Sequence, residues 1–164
     1  MGAVSREVGS GGGMASSALA AELEAFKQQA AEQERAAQER ADQIAQALQH
    51  VRIVQVSAGS FHSLAVSEEG ELYTWGNGLH GQLGLGMQAP ERQPLPARVA
   101  LPAGVRVRQA SAGVDFSLLV TTDGALYSFG DGAYGRNGHG DGKDRYVPTL
   151  VAALVGTPVR SAAA

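Results

Sequence analysis

The sequence predicts a mainly β chain: a partial β-propeller of about two blades, each of four short antiparallel strands, preceded by one long N-terminal α-helix. Three observations carry this. Glycine and proline are both absent from Met14 to Ala58, as a long helix requires. Of the 22 glycines, 17 lie between Gly59 and Gly156, where no long helix survives them. Residues 51–104 then repeat as 105–158, with 18 of 54 positions identical and no gap needed.

The elements follow in order. Residues 1–15 read as a flexible Gly/Ser-rich leader, with GSGGG at 9–13. Residues 16–50 read as the helix, with Ser16 and Ser17 as N-caps and a length of roughly 45–50 Å. Leu23, Ala30, Ala37, Ile44 and Val51 recur every seven residues, but the companion set Leu19, Phe26, Gln33, Arg40 and Ala47 turns polar in the middle. A weak coiled coil or docking helix and a solvated single helix or linker both fit. The face is too acidic for a membrane-surface helix.

The first propeller unit spans 51–104 and the second 105–158. Val51-Arg52 recurs as Val105-Arg106 and again as Val159-Arg160, so 159–164 reads as the start of a truncated third unit. Ser63–Val66 and Ser117–Val120 are β-compatible and run into the turn signals EEG and TTDG. Glu71–Trp75 and Ala125–Phe129 form the next strand, a glycine-dense loop follows, and Pro94 or Pro148 introduces the last. Four strands per unit is the content of one propeller blade.

Composition and motif spacing exclude much chemistry. There is no cysteine, hence no thiol nucleophile, disulfide or zinc-thiolate site. No apolar run approaches the roughly 20 residues that span a bilayer, and no charged-then-apolar leader opens the chain. MGAVSR departs from the myristoylation pattern at Arg6. The expectation is an intracellular chain, cytoplasmic and/or nuclear, with no membrane role. Residues 1–50 carry a local charge of −3 and residues 51–164 sum to zero, so there is no basic stripe and no strong nucleic-acid signal. Gly76–Gly81 and Gly130–Gly135 fit G-x-G-x-x-G, yet QLGLG and RNGHG follow, and neither starts a helix that could meet a pyrophosphate. Asp131, Asp141 and Asp144 lack EF-hand spacing, and His50, His62, His80 and His139 lack metal-helix spacing. Ser63 sits in no G-x-S-x-G elbow. No cofactor, metal or enzyme activity is expected.

Taken together, the repeat resembles the regulator of chromosome condensation repeat family of seven-bladed β-propellers. Gly59, His62, Ser63, Gly70, Leu72, Tyr73, Trp75, Gly76, Gly81, Gln82, Leu83, Gly84, Gly86 and Pro94 match its pattern in the first unit. The second unit keeps Gly113, Ser117, Asp123, Gly124, Tyr127, Phe129, Gly130, Gly135, Gly138, Gly140 and Pro148. It departs at Phe116 for His62 and at Arg136-Asn137 for Gln82-Leu83, so it is the more degraded copy. The resemblance covers about residues 51–160. It implies that His62 is a structural hydrogen-bonder between strands and that Trp75 and Phe129 pack between blades. The light-sensing branch of the family needs clustered tryptophans, and the single Trp75 argues against photoreception.

Two blades cannot close a ring, so the expectation is a segment of a longer protein, or self-association through the helix or the open propeller edges. Propellers of this family serve as interaction platforms, which implies a protein partner met by loop residues Asn77, Leu79, His80, Glu91, Arg92, Asp131, Tyr134, Asp144, Arg145 and Tyr146. The leading reading is a non-catalytic protein-interaction scaffold or regulatory propeller segment. The alternatives are guanine-nucleotide exchange on a small GTPase with chromatin association, and a truncated fragment without function.

Overall fold

The computed structural model describes residues 12–49 and 51–164. Of the leader expected over residues 1–15, residues 1–11 lie outside the described residues, as does His50. The chain divides into two units, 1–49 and 50–164.

The first unit is helix α1, Gly12–Leu48, 37 residues and about 55 Å long. It starts ahead of Ser16 and Ser17, so neither serine stands at its beginning, and it takes in residues 12–15, which the sequence assigns to the leader. Once nucleated, a helix gains one hydrogen bond per added residue, and Met14 to Ser17 hold no breaker. Side chains are exposed from Ala18 to Gln46 except at Ala41 and Ile44. Lys27 pairs with Glu24 at 2.9 Å, and the Gln38 amide donates to Asp42 at 2.9 Å, contacts between successive turns.

The second unit holds two four-stranded antiparallel sheets. Strands β1 (Ile53–Ala58), β2 (His62–Ser67), β3 (Leu72–Asn77) and β4 (Arg92–Arg98) pair in chain order. Strands β5 (Val107–Ala112), β6 (Phe116–Thr121), β7 (Leu126–Gly130) and β8 (Arg145–Leu150) do the same. Four strands per unit is what the turn signals predict. The core cluster takes Leu64, Val66 and Leu72 from the first sheet and Val107, Ala110, Leu119 and Phe129 from the second, so the hydrophobic contact is between blades. Gly70, with φ +78°, closes the β2–β3 turn, and a Cβ there would lie 2.7 Å from Arg106 Cβ. Its lack of a side chain is what lets the second blade approach.

The two blades differ in register at their outer edge. Tyr73 pairs with Arg98, but Tyr127 pairs with Leu150, and Gly76–Gln93 corresponds to Gly130–Arg145. The first three strands thus repeat at 54 residues, whereas β8 follows β4 by 52. The chain between these equivalent pairs is two residues shorter in the second blade, so the gap-free repeat fails there and Pro148 is the counterpart of Pro96, not Pro94. A solvent-facing loop tolerates such a deletion, while a half-buried strand cannot slip without turning its apolar face outward.

The offset carries on to the C-terminal segment. Val107 N donates to Gly70 O and Val159 N to Gly124 O, both at 2.9 Å, so Val159 stands where Val107 stands. The recurrence of Val-Arg at 159–160 is therefore two residues out of structural register. This segment runs beside β5 as β5 runs beside β1, fastened by the same two side chains. Gln55 receives from Ala110 N (2.8 Å) and donates to Ala110 O (2.9 Å), while Ser57 Oγ accepts from Ala112 N (3.0 Å). Gln109 bonds Ala162 N (3.2 Å) and O (3.1 Å), and Ser111 Oγ accepts from Ala164 N (2.9 Å).

Candidate functional site

In an antiparallel meander alternate connections leave the same end. Loops 59–61, 78–91, 113–115 and 131–144 gather at one end of the two blades, linked by Ser60 N to Gly113 O (3.3 Å) and Gly86 N to Tyr146 O (2.8 Å). Every partner-loop residue expected from the sequence lies there. Their roles divide into scaffold and surface.

Asn77 Oδ1 accepts from Leu79 N (3.0 Å) and from Gln82 Nε2 (3.1 Å), so it shapes its own loop. Glu91 gives its backbone carbonyl to Gly78 N at 2.7 Å, and Arg92, exposed, pairs in register with Asn77. Asp131 accepts from Ala133 N (2.8 Å) and holds Arg136 at 2.9 Å. Asp144 accepts from Gly132 N (3.0 Å) and lies 3.6 Å from His80 Nδ1, joining the two loops. Arg145 reaches both oxygens of Asp141, at 3.0 and 3.1 Å, and this contact draws the Asp141 carboxyl below its usual range. Tyr146 is half-buried, and a Cβ on Gly81 would lie 2.8 Å from its Cα, so it belongs to the blade junction.

Five large apolar side chains face solvent here, among exposed polar neighbours that include Ser60, Gln88, Glu91, Arg92 and Lys143. Phe61, Leu79, Met87, Val114 and Tyr134 are 62%, 50%, 78%, 51% and 99% exposed, and all sit at this end. Phe61 and Val114 occupy hairpin tips that the sequence reading passed over. Tyr134 also holds φ +59°, the one non-glycine residue at positive φ among those described. That conformation costs about 1–2 kcal/mol and persists only where its surroundings impose it. Arg136 supplies part of that, its guanidinium 5.8 Å from the Tyr134 ring centroid and 5.9 Å from that of Phe116.

Beneath the loops lies a buried polar junction. His62 Nε2 meets Ser117 Oγ at 2.8 Å across the two blades. Ser117 gives its one proton to Gln82 O at 2.9 Å, so His62 Nε2 is the donor in this pair. Burial pushes its pKa down to about 4, only partly opposed by the Asp115 carboxylate. Gln82 accepts from His80 N (2.9 Å) and reaches Asp115 at 3.3 Å, which ties the loop to the next blade's hairpin. A serine beside a histidine suggests a nucleophile. Here the serine is fully buried with its proton committed to a carbonyl, and His62 Nδ1 has no partner to orient the ring. Among the described residues no group of three acidic or imidazole ligands could hold a metal ion.

The remaining repeat positions are structural in two ways. Phe129 is fully buried, and a Cβ on Gly84 would fall 2.9 Å from its ring, so it packs on the first blade's loop. Trp75 holds the same position in the first blade but is only partly buried, and among the described residues no sheet precedes the first blade. The expectation of packing between blades therefore fails for Trp75 in this structure. Tyr73 and Tyr127 lie at matching sites, and burial plus the adjacent Glu71 carboxylate, 2.7 Å away, pushes the Tyr73 phenol up to about 12. Gly59 and Gly113 face one another, with Gly113 O 2.0 Å from where a Gly59 Cβ would stand. Gly76 and Gly130 sit tight against the preceding hairpins, whereas Gly135 opens on empty space and Gly138 meets only Val151. No helix among the described residues is long and apolar enough to cross a membrane.

Comparison with known proteins gives a consistent picture. The family model for the regulator of chromosome condensation (RCC1) repeat matches residues 69–120 and 123–164, and a second model of that repeat matches 53–82 and 107–136. The ultraviolet-B receptor UVR8 of Arabidopsis thaliana is 41% identical over 111 residues, 68% of this chain and 25% of the receptor. The human E3 ubiquitin-protein ligase HERC2 is 42% identical over 115 residues, 69% of this chain and 2% of the ligase. The crystal structure of Prp20p from Saccharomyces cerevisiae, described with its binding properties to Gsp1p and histones, superposes with a TM-score of 0.58 at 29% identity. It covers 63% of this chain and 26% of that one. The chain thus spans a quarter or less of these curated relatives.

Proposed function

This chain belongs to the regulator of chromosome condensation repeat family, and from that premise we propose that it is a segment of a non-catalytic, protein-binding propeller that reads its partner with the loop end. The observation that carries the reading is the set of exposed apolar side chains at that end, Phe61, Leu79, Met87, Val114 and Tyr134. Solvated loops have no need of a fully exposed tyrosine at positive φ. Polar ties around His62, Ser117 and Gln82 hold the loops in place beneath it. Such a rim of apolar anchors over a rigid base is how a protein surface gains affinity without large ordering cost. The partly covered Trp75 and the open shelf at Gly135 support a segment that works with further blades, supplied by more chain or by another copy. The setting proposed is the cytoplasm or nucleus.

The test is retention of a defined protein from native extract by the intact chain and by the double variant Phe61→Ser/Tyr134→Ala. A partner identified on the parent should bind the variant at least about tenfold more weakly in a purified titration. Equal affinity overturns the role of this end. A second reading, exchange of guanine nucleotide on a small GTPase with chromatin association, is favoured by the likeness to Prp20p, whose structure was described with binding to Gsp1p and histones. Accelerated nucleotide release from any member of a purified GTPase panel supports it, and unchanged release across the panel removes it.

A further inference from the structure

We propose that α1 is a dimerisation element and that two copies of this chain pair through it as an antiparallel two-stranded coiled coil in a single register, with Phe26 of each copy seated on the partner's Ala37. The proposal is independent of what the loop end contacts. It starts from exposure: Leu19, Leu23 and Phe26 are 69%, 54% and 69% exposed on a continuous helix, at a spacing that puts them on one face with Ile44.

Side-chain size and charge decide the orientation. In a parallel, in-register pair the seam sets Arg40 on the partner's Arg40, Gln33 on Gln33 and bulky Phe26 on Phe26. Two arginines on one layer repel, and the overfull Phe26 layer is followed by hollow layers at Ala30 and Ala37. Reversing one helix about the midpoint of the stripe changes every layer. Leu19 then meets the partner's Ile44, and Phe26 meets the partner's Ala37, large against small. Arg40 lays its aliphatic stem over the partner's Leu23 and brings its guanidinium beside the partner's Glu22, both signs satisfied.

The flanking charges then choose the register. With those layers, Lys27 faces the partner's Glu34 on one edge, and by symmetry Glu34 faces the partner's Lys27. A slip of one heptad in one direction puts Lys27 on the partner's Lys27. A slip in the other direction puts Glu34 on the partner's Glu34. Only the central register pairs opposite charges, and it also engages the whole seam from Leu19 to Ile44, about 38 Å of helix, with Ala30 on the partner's Gln33 at its centre. In the single chain Lys27 is held only by Glu24, three residues away and exposed, a contact weak enough to exchange.

The chain and three charge variants test this by light scattering after size exclusion at about 50 µM, where a short coiled coil is populated. The parent is expected at twice the chain mass. Lys27→Glu alone sets a second carboxylate against the partner's Glu34, and Glu34→Lys alone sets an ammonium against the partner's Lys27. Each single variant therefore falls to the single-chain mass, its dimer at least about tenfold weaker. The double variant Lys27→Glu/Glu34→Lys returns to twice the mass, and an equimolar mixture of the two single variants forms a one-to-one heterodimer. Unchanged far-UV circular dichroism of the repeats guards against misfolding. A parent at single-chain mass overturns the proposal, as does an oligomer indifferent to either single variant, which would place the contact on the blades. A double variant that stays at single-chain mass overturns the antiparallel register, since in a parallel pair the carboxylate introduced by Lys27→Glu would face the partner's Glu22.

Discussion

The buried His62 makes the blade junction sensitive to pH in a direction and size that follow from its surroundings. Its ring is almost fully buried, gives its Nε2–H to Ser117, and is held at a pKa of about 4 against 6.5 in the free side chain. The unfolded chain therefore binds a proton that the folded chain refuses, between about pH 6.5 and 4. Stability contributed by neutral His62 is complete above pH 6.5 and is lost as pH falls through that window. A gap of about 2.5 pKa units amounts to about 3 kcal/mol when fully expressed, and between pH 7.5 and pH 5 linkage places the loss at about 2 kcal/mol.

The perturbation that isolates this is His62→Phe, because Phe116 already occupies the matching place in the second blade. The variant keeps Ser117 donating to Gln82 O and removes the titrating ring. Equilibrium urea unfolding, followed by circular dichroism at pH 7.5, 6.5, 5.5 and 5, gives the slope for each protein. The parent's midpoint should drop by about 1–2 M urea across the series more than the variant's, for a chain of this size. His139, whose pKa is lowered by burial and by nearby Arg145, shifts both proteins alike and cancels. Equal slopes in parent and variant would refute the reasoning: His62 would then be hydrated or charged in the folded state.

Phe129→Ala should cost about 3–5 kcal/mol, and Trp75→Ala at the equivalent but partly covered site at least about 1 kcal/mol less, read from the same urea curves. Gly81→Ala drives a Cβ to 2.6 Å from the Arg145 carbonyl oxygen, whereas Gly135→Ala, also at positive φ, meets open space. Both lose about 1–2 kcal/mol to the left-handed backbone, so any excess for Gly81→Ala, measured by thermal melts, reports the blade contact alone. Gln55→Ala strips partners from the buried N–H and C=O of Ala110 and should cost about 2–4 kcal/mol, with faster amide exchange at Ala110.

The blade architecture was legible because turn glycines and the aromatic-glycine pair fall at fixed offsets, and turns at those offsets force four short strands. The outer edge was not, for a specific reason. Without a gap, the sole identity between Gly86 or Gly140 and the end of each 54-residue unit is Pro94 with Pro148. An offset of 52 instead aligns Pro96 with Pro148, Val99 with Val151, Ala100 with Ala152 and Gly104 with Gly156. The two glycines share φ values of +80° and +84°, so the signal for the shorter loop was present in the residues. Gln55 and Ser57 recur as Gln109 and Ser111, yet a polar residue on a strand ordinarily reads as solvent-facing. Only the geometry reveals that they clasp the neighbouring strand's backbone. Trp75 and Phe129 show the converse limit, since identical repeat positions acquire different burial from what lies beside them.

The second unit's departures from the repeat are correlated rather than independent losses. Where the first blade has His62 and Gln82, the second has Phe116 and Arg136, and the paired changes keep the two sites in contact: Arg136 sits 5.9 Å over the Phe116 ring. Gln82 ties its loop to Asp115 of the next hairpin, while Arg136 turns back to Asp131 of its own loop at 2.9 Å. The tie made by Gln82 crosses a blade boundary, whereas the one made by Arg136 stays within its blade. The Asp131–Arg136 pair and the Arg136–Tyr134 stack brace the Tyr134 turn from within its own loop, and Tyr134 stands fully in solvent. Degeneration would erase the polar ties of the first blade and leave buried donors unpaired. Here the aromatic, the guanidinium and the carboxylate take their place together, and of the buried side-chain polar atoms in that loop Asn137 Oδ1 is left without a partner.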